Sequence, residues 1–267
     1  MNDNNVCVID TGNSKDFGKI IDKVLIENNW NLKFIINTHS HADHIGGNRY
    51  LQNKYNCKIY TSKVECFFVN EPLLEPAMLY SANPARDMHS HLLKAGSSCC
   101  EDISLCNIEG IKIINLEGHS LGQIGVVTED EVCFVGDAYT SEKILNKYAI
   151  QYVYDIEKYL KTLEFLKTTS YKYYVPAHGE IETDCKNTID ININNIMNIE
   201  NEIIETISEG ISYNEFMKKI FSNYNIRMNM IQYHLINATI KSFLTKLEKE
   251  NKIEFIFTNN EMGLKII

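Results

Sequence analysis

The chain has 267 residues, 44% of them hydrophobic and 23% charged, with a formal net charge of −9. A chain of this size and balance builds an ordinary globular core without help from disulfides. The acidic excess disfavours nucleic acid and anionic membrane as partners, because both carry the same sign of charge.

In chain order, Val6 to Ile9 (VCVI) reads as a short β-branched strand closed by the turn residues Asp10-Thr11-Gly12. Phe17, Ile20, Ile21, Val24 and Leu25 then recur at helical spacing, which predicts a helix over Lys15 to Asn28. Lys33 to Asn37 (KFIIN) reads as a buried strand, so the opening is a strand–helix–strand crossover with parallel strands. Helices are predicted over Asn48 to Tyr55 and over residues 62–69, with a strand at Lys58 to Tyr60 between them. Residues 70–100 show no clear period; they hold Pro72, Pro76, Pro84, His89 and His91, and read as a lid or substrate loop.

Short strands return at Ile111 to Leu116, Ile124 to Thr128 and Glu131 to Gly136. An amphipathic helix follows over residues 155–168, then a strand at Tyr173 to Val175. Tyr171, Tyr173 and Tyr174 read as strand packing. This alternation predicts an α/β fold with mixed sheets. From residue 188 the pattern is helical: residues 188–209, a helix opened by the capping box Ser212 and Glu215, and residues 229–250. His234 falls on the last of these among apolar neighbours and reads as structural. The tail reads as a hairpin turning at Asn259-Asn260. The expected domains are therefore 1–187 and 188–267, the second with the element order of a winged helix.

The chemistry concentrates in Thr38 to Gly47 (THSHADHIGG), directly after a predicted buried strand. Ligands of open α/β sheets gather at such carboxyl ends. His39, His41, Asp43 and His44 offer four metal-type donors within six residues, and Gly46-Gly47 would permit a sharp exit. Further donors follow other strands: His119 in GHSLG, Asp137 in GDA and His178 in PAHG. Each alone would be more often structural. In this order and company they point to a metal site.

The series HxHxDH, GHSLG, GDA, PAHG over about residues 6–185 resembles the metallo-β-lactamase superfamily. The resemblance implies an αββα sandwich and a two-metal hydrolase. It implies His39, His41 and His119 on one ion, Asp43, His44 and His178 on the other, and Asp137 bridging them. Asp43 and Asp137 would be the catalytic carboxylates, and the ions would share a bridging hydroxide. The imidazole and carboxylate set suits Zn²⁺, and also iron or manganese. The Asp-Thr-Gly turn implies that Asp10 buttresses the metal loops, though a plain turn aspartate reads as well.

The family usually opens with a strand meander before that turn, and only five residues precede VCVIDTG here. An open sheet edge is therefore expected, covered by a second copy in a homodimer or by another segment. The favoured substrate is a small ester, thioester or lactone. Alternatives are an endoribonuclease on single-stranded RNA and a non-catalytic metal-binding protein. Residues 200–267 carry eight Lys+Arg against nine Asp+Glu, which gives no basic face for nucleic acid. No basic cluster suited to glutathione thioesters stands out either.

The eight cysteines form no zinc-ribbon spacing, and neither a signal peptide nor a membrane span is legible. The expectation is a cytoplasmic protein with free thiols, Cys99-Cys100 being a plain loop pair.

Overall fold

The computed structural model describes residues 4–207 and 210–267. The first sheet is assembled by crossovers. Strand β1 (Asn5–Ile9) leads through helix α1 (Lys15–Glu27) to β2 (Asn31–Ile36). A one-turn helix α2 (Ala42–Ile45) and α3 (Asn48–Tyr55) precede β3 (Lys58–Thr61), and α4 (Lys63–Asn70) and α5 (Leu74–Tyr80) precede β4 (Cys100–Asp102). The strand order is β1-β2-β3-β4, every pair parallel. Alternation along β2 serves two cores: Ile35 packs outward beneath the helices with Leu25, Ile45, Leu51 and Ile59, while Phe34 and Ile36 point to the second sheet.

That second sheet has the order β5-β6-β7-β8, from β5 (Ile111–Asn115), β6 (Ile124–Thr128), β7 (Val132–Gly136) and β8 (Tyr173–Pro176). Its first two pairings are antiparallel and the last parallel. Ile124 and Val126 meet Ile36 and Tyr60 between the sheets. On the far side Cys133, Val135 and Leu116 pack under α7 (Ile156–Lys167) and α8 (Lys186–Thr206), with α6 (Glu142–Lys147) before them. The layers are thus helix, sheet, sheet, helix. Asp155 caps α7 by accepting from the Lys158 amide.

Beyond α8 come β9 (Ile211–Ser212), α9 (Tyr213–Asn223), α10 (Met230–Lys249), β10 (Ile253–Thr258) and β11 (Glu261–Ile266), with a small sheet ordered β10-β11-β9. The Ser212 hydroxyl accepts from the Glu215 amide, the first half of the expected capping box. Asn259 and Asn260 both adopt positive φ and close a two-residue hairpin. Positions 208 and 209, the end of the helix expected there, lie outside the described residues. One buried cluster contains Leu116 and Tyr159 together with Ile240, Phe243 and Leu264, so packing runs across residue 187 without a break. No helix among the described residues is long and apolar enough to cross a membrane.

Several details differ from the sequence reading. Residues 70–100 are not featureless: they form α5 and a 3-10 turn at Arg86–His89. Pro76 sits in the first turn of α5, where its missing N–H costs nothing. The apolar positions of α1 spread around the helix. Leu25 is buried and Ile21 packs beside it, while Phe17, Ile20 and Val24 face solvent. Cys100 is not a loop thiol beside Cys99; it lies on β4 with its sulfur 3.0 Å from that of Cys66. Strand β1 is an edge of its sheet among the described residues.

Candidate metal centre

All seven donors converge. His39 Nε2 and His119 Nε2 each lie 2.9 Å from His41 Nδ1, so three ring nitrogens point at one spot. His39, His44 and Asp137 form a second group, and Asp43, His44 and His178 a third. Asp137 stands between them: Oδ2 is 3.4 Å from His119 Nε2 and 3.5 Å from His178 Nε2, and Oδ1 is 3.5 Å from His44 Nε2. Asp43 Oδ2 is 3.3 Å from His178 Nε2. His39 and His44 are buried, whereas Asp43 and His178 open to solvent.

The chemistry of this set fits a divalent cation. His44 Nε2 and Asp137 Oδ1 are buried and lack any hydrogen-bond partner among the described residues. Orphaned buried polar atoms are costly unless something else meets them, and a cation would. Burial pushes the His41 imidazole down to about 4 and His119 down to about 3, so both present free lone pairs at neutral pH. Burial also opposes charge on His44, but the Asp137 and Asp10 carboxylates on either side overcome it and hold His44 well above the usual histidine range. Burial likewise works against charge on Asp43, yet the bond from His178 and the nearby His44 hold its carboxyl below the usual range.

A proton balance follows. His44 must lose its Nε2 proton to become a ligand. Metal uptake by chelator-stripped protein at neutral pH should therefore release at least one proton, since His178, which the Asp43 bond holds above its ordinary value, must also be deprotonated to bind. Apparent affinity should rise by at least about tenfold per pH unit until pH passes the raised His44 pKa. Calorimetry in buffers of different ionisation enthalpy checks this. A heat that does not vary with the buffer would contradict it.

Asp10 holds the loops, as the buttress reading expected. It sits at φ 55, a left-handed conformation that aspartate tolerates. Its Oδ2 contacts His44 Nδ1 at 2.8 Å and accepts from the Thr38 hydroxyl at 2.7 Å, and that hydroxyl lies 3.1 Å from His39 Nδ1. Its Oδ1 accepts from the Thr38 amide at 2.8 Å. One carboxylate thus orients two imidazoles, one directly and one through a hydroxyl. Asp10→Ala should weaken metal affinity by roughly 10–100-fold, measured by competition with a chromophoric chelator; unchanged affinity would make Asp10 a plain turn residue.

Gly46 and Gly47 have a different purpose from the one expected. Both keep ordinary negative φ. What requires glycine is closeness: a Cβ on Gly46 would fall on the Asn13 carbonyl carbon, and one on Gly47 would meet the Thr11 carbonyl oxygen at 2.7 Å. The His loop is pressed against the Asp10 turn, where the Thr11 amide donates to the His44 carbonyl at 2.7 Å.

Three buttresses were not found from sequence. Glu65 of α4 is buried and accepts from the Ser40 amide and hydroxyl, the Ser120 hydroxyl at 2.7 Å and the Gly122 amide at 2.8 Å, tying the His39–His41 loop to the His119 loop. Gln123 accepts from the Asp137 amide, and its amide donates to Leu116 and Val135 carbonyls. Asn192 of α8 grips both backbone groups of Thr140, whose hydroxyl donates to the His178 carbonyl. A lone Glu, Gln or Asn at a helix or strand position gives no local signal. A buried-face position for Glu65, amid the apolar Cys66 and Val69, was the one hint.

A cavity of about 320 Å³ opens on the centre, lined by His41, Asp43, His119 and Asp137 and walled by Glu75, Tyr152 and Leu93. Tyr152 packs its ring 5.4 Å from that of His41. Glu75 Oε1 lies 3.7 Å from His41 Nε2, and burial together with the Glu65 and Asp43 charges pushes its carboxyl up to about 8. Of the two histidines in the expected lid or substrate loop, His91 lines this cavity and His89 does not. His234 packs between Tyr80 and Tyr233 away from the centre.

The sequence pattern of the Metallo-beta-lactamase superfamily matches residues 2–178. The chain belongs to that superfamily. Over 56 residues it is 43% identical to a hydroxyacylglutathione hydrolase of Pelagibacter ubique, covering 21% of this chain and 22% of that one. Over 134 residues it is 28% identical to the hydroxyacylglutathione hydrolase GloC of Haemophilus influenzae, covering 50% of this chain and 60% of the other. The chain thus spans less than two thirds of the length of either curated relative. A solved metallo-beta-lactamase family protein of Thermus thermophilus superposes on 99% of this chain and 91% of its own, with TM-score 0.73 and 13% identity. That likeness concerns fold, and it takes in the C-terminal helices and small sheet as well as the two large sheets.

Proposed function

We propose that this superfamily member is a dinuclear metal-dependent hydrolase of a small ester, thioester or lactone. The observation that carries the reading is the position of Asp137, whose Oδ2 is nearly equidistant from His119 of one donor group and His178 of the other. His39, His41 and His119 would hold one ion and Asp43, His44 and His178 the second, with Asp137 shared. Two divalent cations there, zinc in our reading with iron or manganese suited to the same donors, supply a water acidified toward neutral pH and polarise the acyl carbonyl.

The chain's own residues do the rest. Asp43, half open to solvent and 3.3 Å from His178, orients the attacking water. Tyr152 and Leu93 close the back of the cavity and exclude bulk water from the acyl group. A cavity of about 320 Å³ suits a small acyl group rather than a polymer. In the reaction the water oxygen joins the acyl carbon, the C–S or C–O bond breaks, and the leaving group ends protonated. The partial matches to two hydroxyacylglutathione hydrolases favour a thioester among the three classes.

Elemental analysis of purified protein, paired with a panel of thioesters, esters, lactones and a single-stranded RNA, tests this. Bound transition metal with turnover of an acyl substrate is expected. Stoichiometric metal with no turnover would return the non-catalytic reading, and RNA cleavage alone would return the nuclease.

A further inference from the structure

Beside the metal cavity lies a larger one of about 820 Å³, and Asn13 and His91 line both. Its wall carries Lys15, Arg49, Lys54 and Lys94, and no aspartate or glutamate. This is unusual in a chain of net charge −9. Among the described residues no carboxylate lies within ion-pair distance of Lys15, Arg49 or Lys94; of the four, Lys54 alone meets a carboxylate, Asp22 at 2.6 Å, while Lys15 Nζ lies 5.9 Å from the Tyr50 ring centroid. The contrast with the cavity against α10 is informative. There Asp155 and Glu157 share the wall with the lysines, and two of the three lysines are answered from within the chain, Lys246 by Glu200 at 2.7 Å and Lys249 by Glu157 at 3.5 Å.

Two further features favour an anion. Asn13, Ser14 and Lys15 bring the start of the 13-residue helix α1 to the cleft, and the Ser14 side chain makes no capping bond. First-turn amides are natural anion donors. Asp16, the carboxylate of that turn, is taken up by Lys19 at 2.8 Å. Gly96 also lies against Arg49, where a Cβ would meet the Arg49 side chain at 3.1 Å.

We propose that this cleft holds a multiply charged anionic carrier, bearing phosphates or paired carboxylates, of the acyl group cleaved at the metal centre. The proposal rests on the hydrolase reading for what is cleaved, but not for the anion binding itself. The two cavities share a wall, so a substrate can place its carbonyl at the metals and its charged end among Lys15, Arg49 and Lys94. A guanidinium and an open helix start suit phosphate or carboxylate oxygens equally, whereas ammonium and guanidinium groups repel a cationic ester such as a choline ester. The bounded cleft and the acidic remainder of the chain favour a small molecule over an RNA strand, which needs an extended basic track.

The test is titration calorimetry on zinc-loaded full-length protein with adenosine 3′,5′-bisphosphate as the phosphate probe and S-methylglutathione as the carboxylate probe. One of them should bind, weaken with added salt, and lose at least tenfold in affinity in Arg49→Ala/Lys94→Ala. Both replaced side chains lie at the surface of the cleft, and an unchanged melting temperature shows that the variant folds. Lys249→Ala should bind like wild type. With a thioester of the binding carrier, the double variant should raise KM about tenfold and leave kcat near wild type, while cleavage of neutral S-phenyl thioacetate stays unchanged. Failure of both probes to bind, or binding indifferent to the double variant, overturns the cleft. So does an oligoribonucleotide that displaces both probes. If the probes bind as expected but no thioester is cleaved, the cleft stands and the hydrolase reading falls.

Discussion

Alanine at Asp137 should abolish metal retention and hydrolysis together, and alanine at His39 should abolish hydrolysis with loss of about half the bound metal. His39 belongs to two of the three donor groups, and Asp137 spans the distance between His119 and His178. Asp137→Ala would take a ligand from both ions, whereas His39→Ala would strip the ion held with His41 and His119 and leave the other with Asp43, His44 and His178. Without the cations the attacking water returns toward its ordinary pKa of about 15.7, so turnover should fall by roughly a thousandfold or more. Metal content after gel filtration and kcat/KM on the best acyl substrate give the answer. Activity surviving in both variants would dismiss the centre as the seat of the chemistry. Asp43→Asn offers a finer comparison, because Asp43 lies at the open side and the trio of His39, His41 and His119 would remain intact.

The second large effect is expected at a residue that is not itself a ligand, Glu65. Its carboxylate answers two amides and two hydroxyls in a site closed to water. Glu65→Ala would leave these donors buried and unmet, at about 1–3 kcal/mol for each that cannot relax. A net loss of about 3 kcal/mol, hence a melting temperature lower by roughly 6–12 °C, is the expectation. Metal affinity should also fall by roughly 10–100-fold, since the His39–His41 loop would no longer be tied to the His119 loop. Glu65→Gln should recover only part of the loss: one amide oxygen can replace one carboxylate oxygen, but its NH₂ would face a backbone N–H that cannot accept. Thermal melts and chelator competition on both variants decide the matter. If Glu65→Ala melts and binds metal like wild type, the tether has no energetic weight.

These two sites differ sharply in how they could be read. The seven donors were legible because each follows a strand and four sit within six residues, a local pattern dense enough to stand without coordinates. Asp10 was half legible, through the turn it occupies. Glu65, Gln123 and Asn192 were not, because their partners lie 25, 14 and 52 residues away in sequence. The same holds for the cationic cleft. Lys15 and Lys54 come from either side of the His loop and Lys94 from the segment without period, so a scan for clustered charge passes over them. In α1 the period was visible, but period alone does not say which apolar positions meet a core. Phe17, Ile20 and Val24 share the helix with Leu25 and still face outward.

The sequence by itself determined the layered α/β plan and the identity of the metal-type donors. Strand and helix periods and loop motifs are short-range properties, written into consecutive residues. Only the tertiary structure decided that the donors face one another, that Asp137 stands between two groups, that residues 70–100 wall the cavity through Glu75 and His91, and that scattered lysines and an arginine share a cleft beside it. Those are relations between side chains brought together by packing two sheets face to face, and chain order carries no distance across that interface.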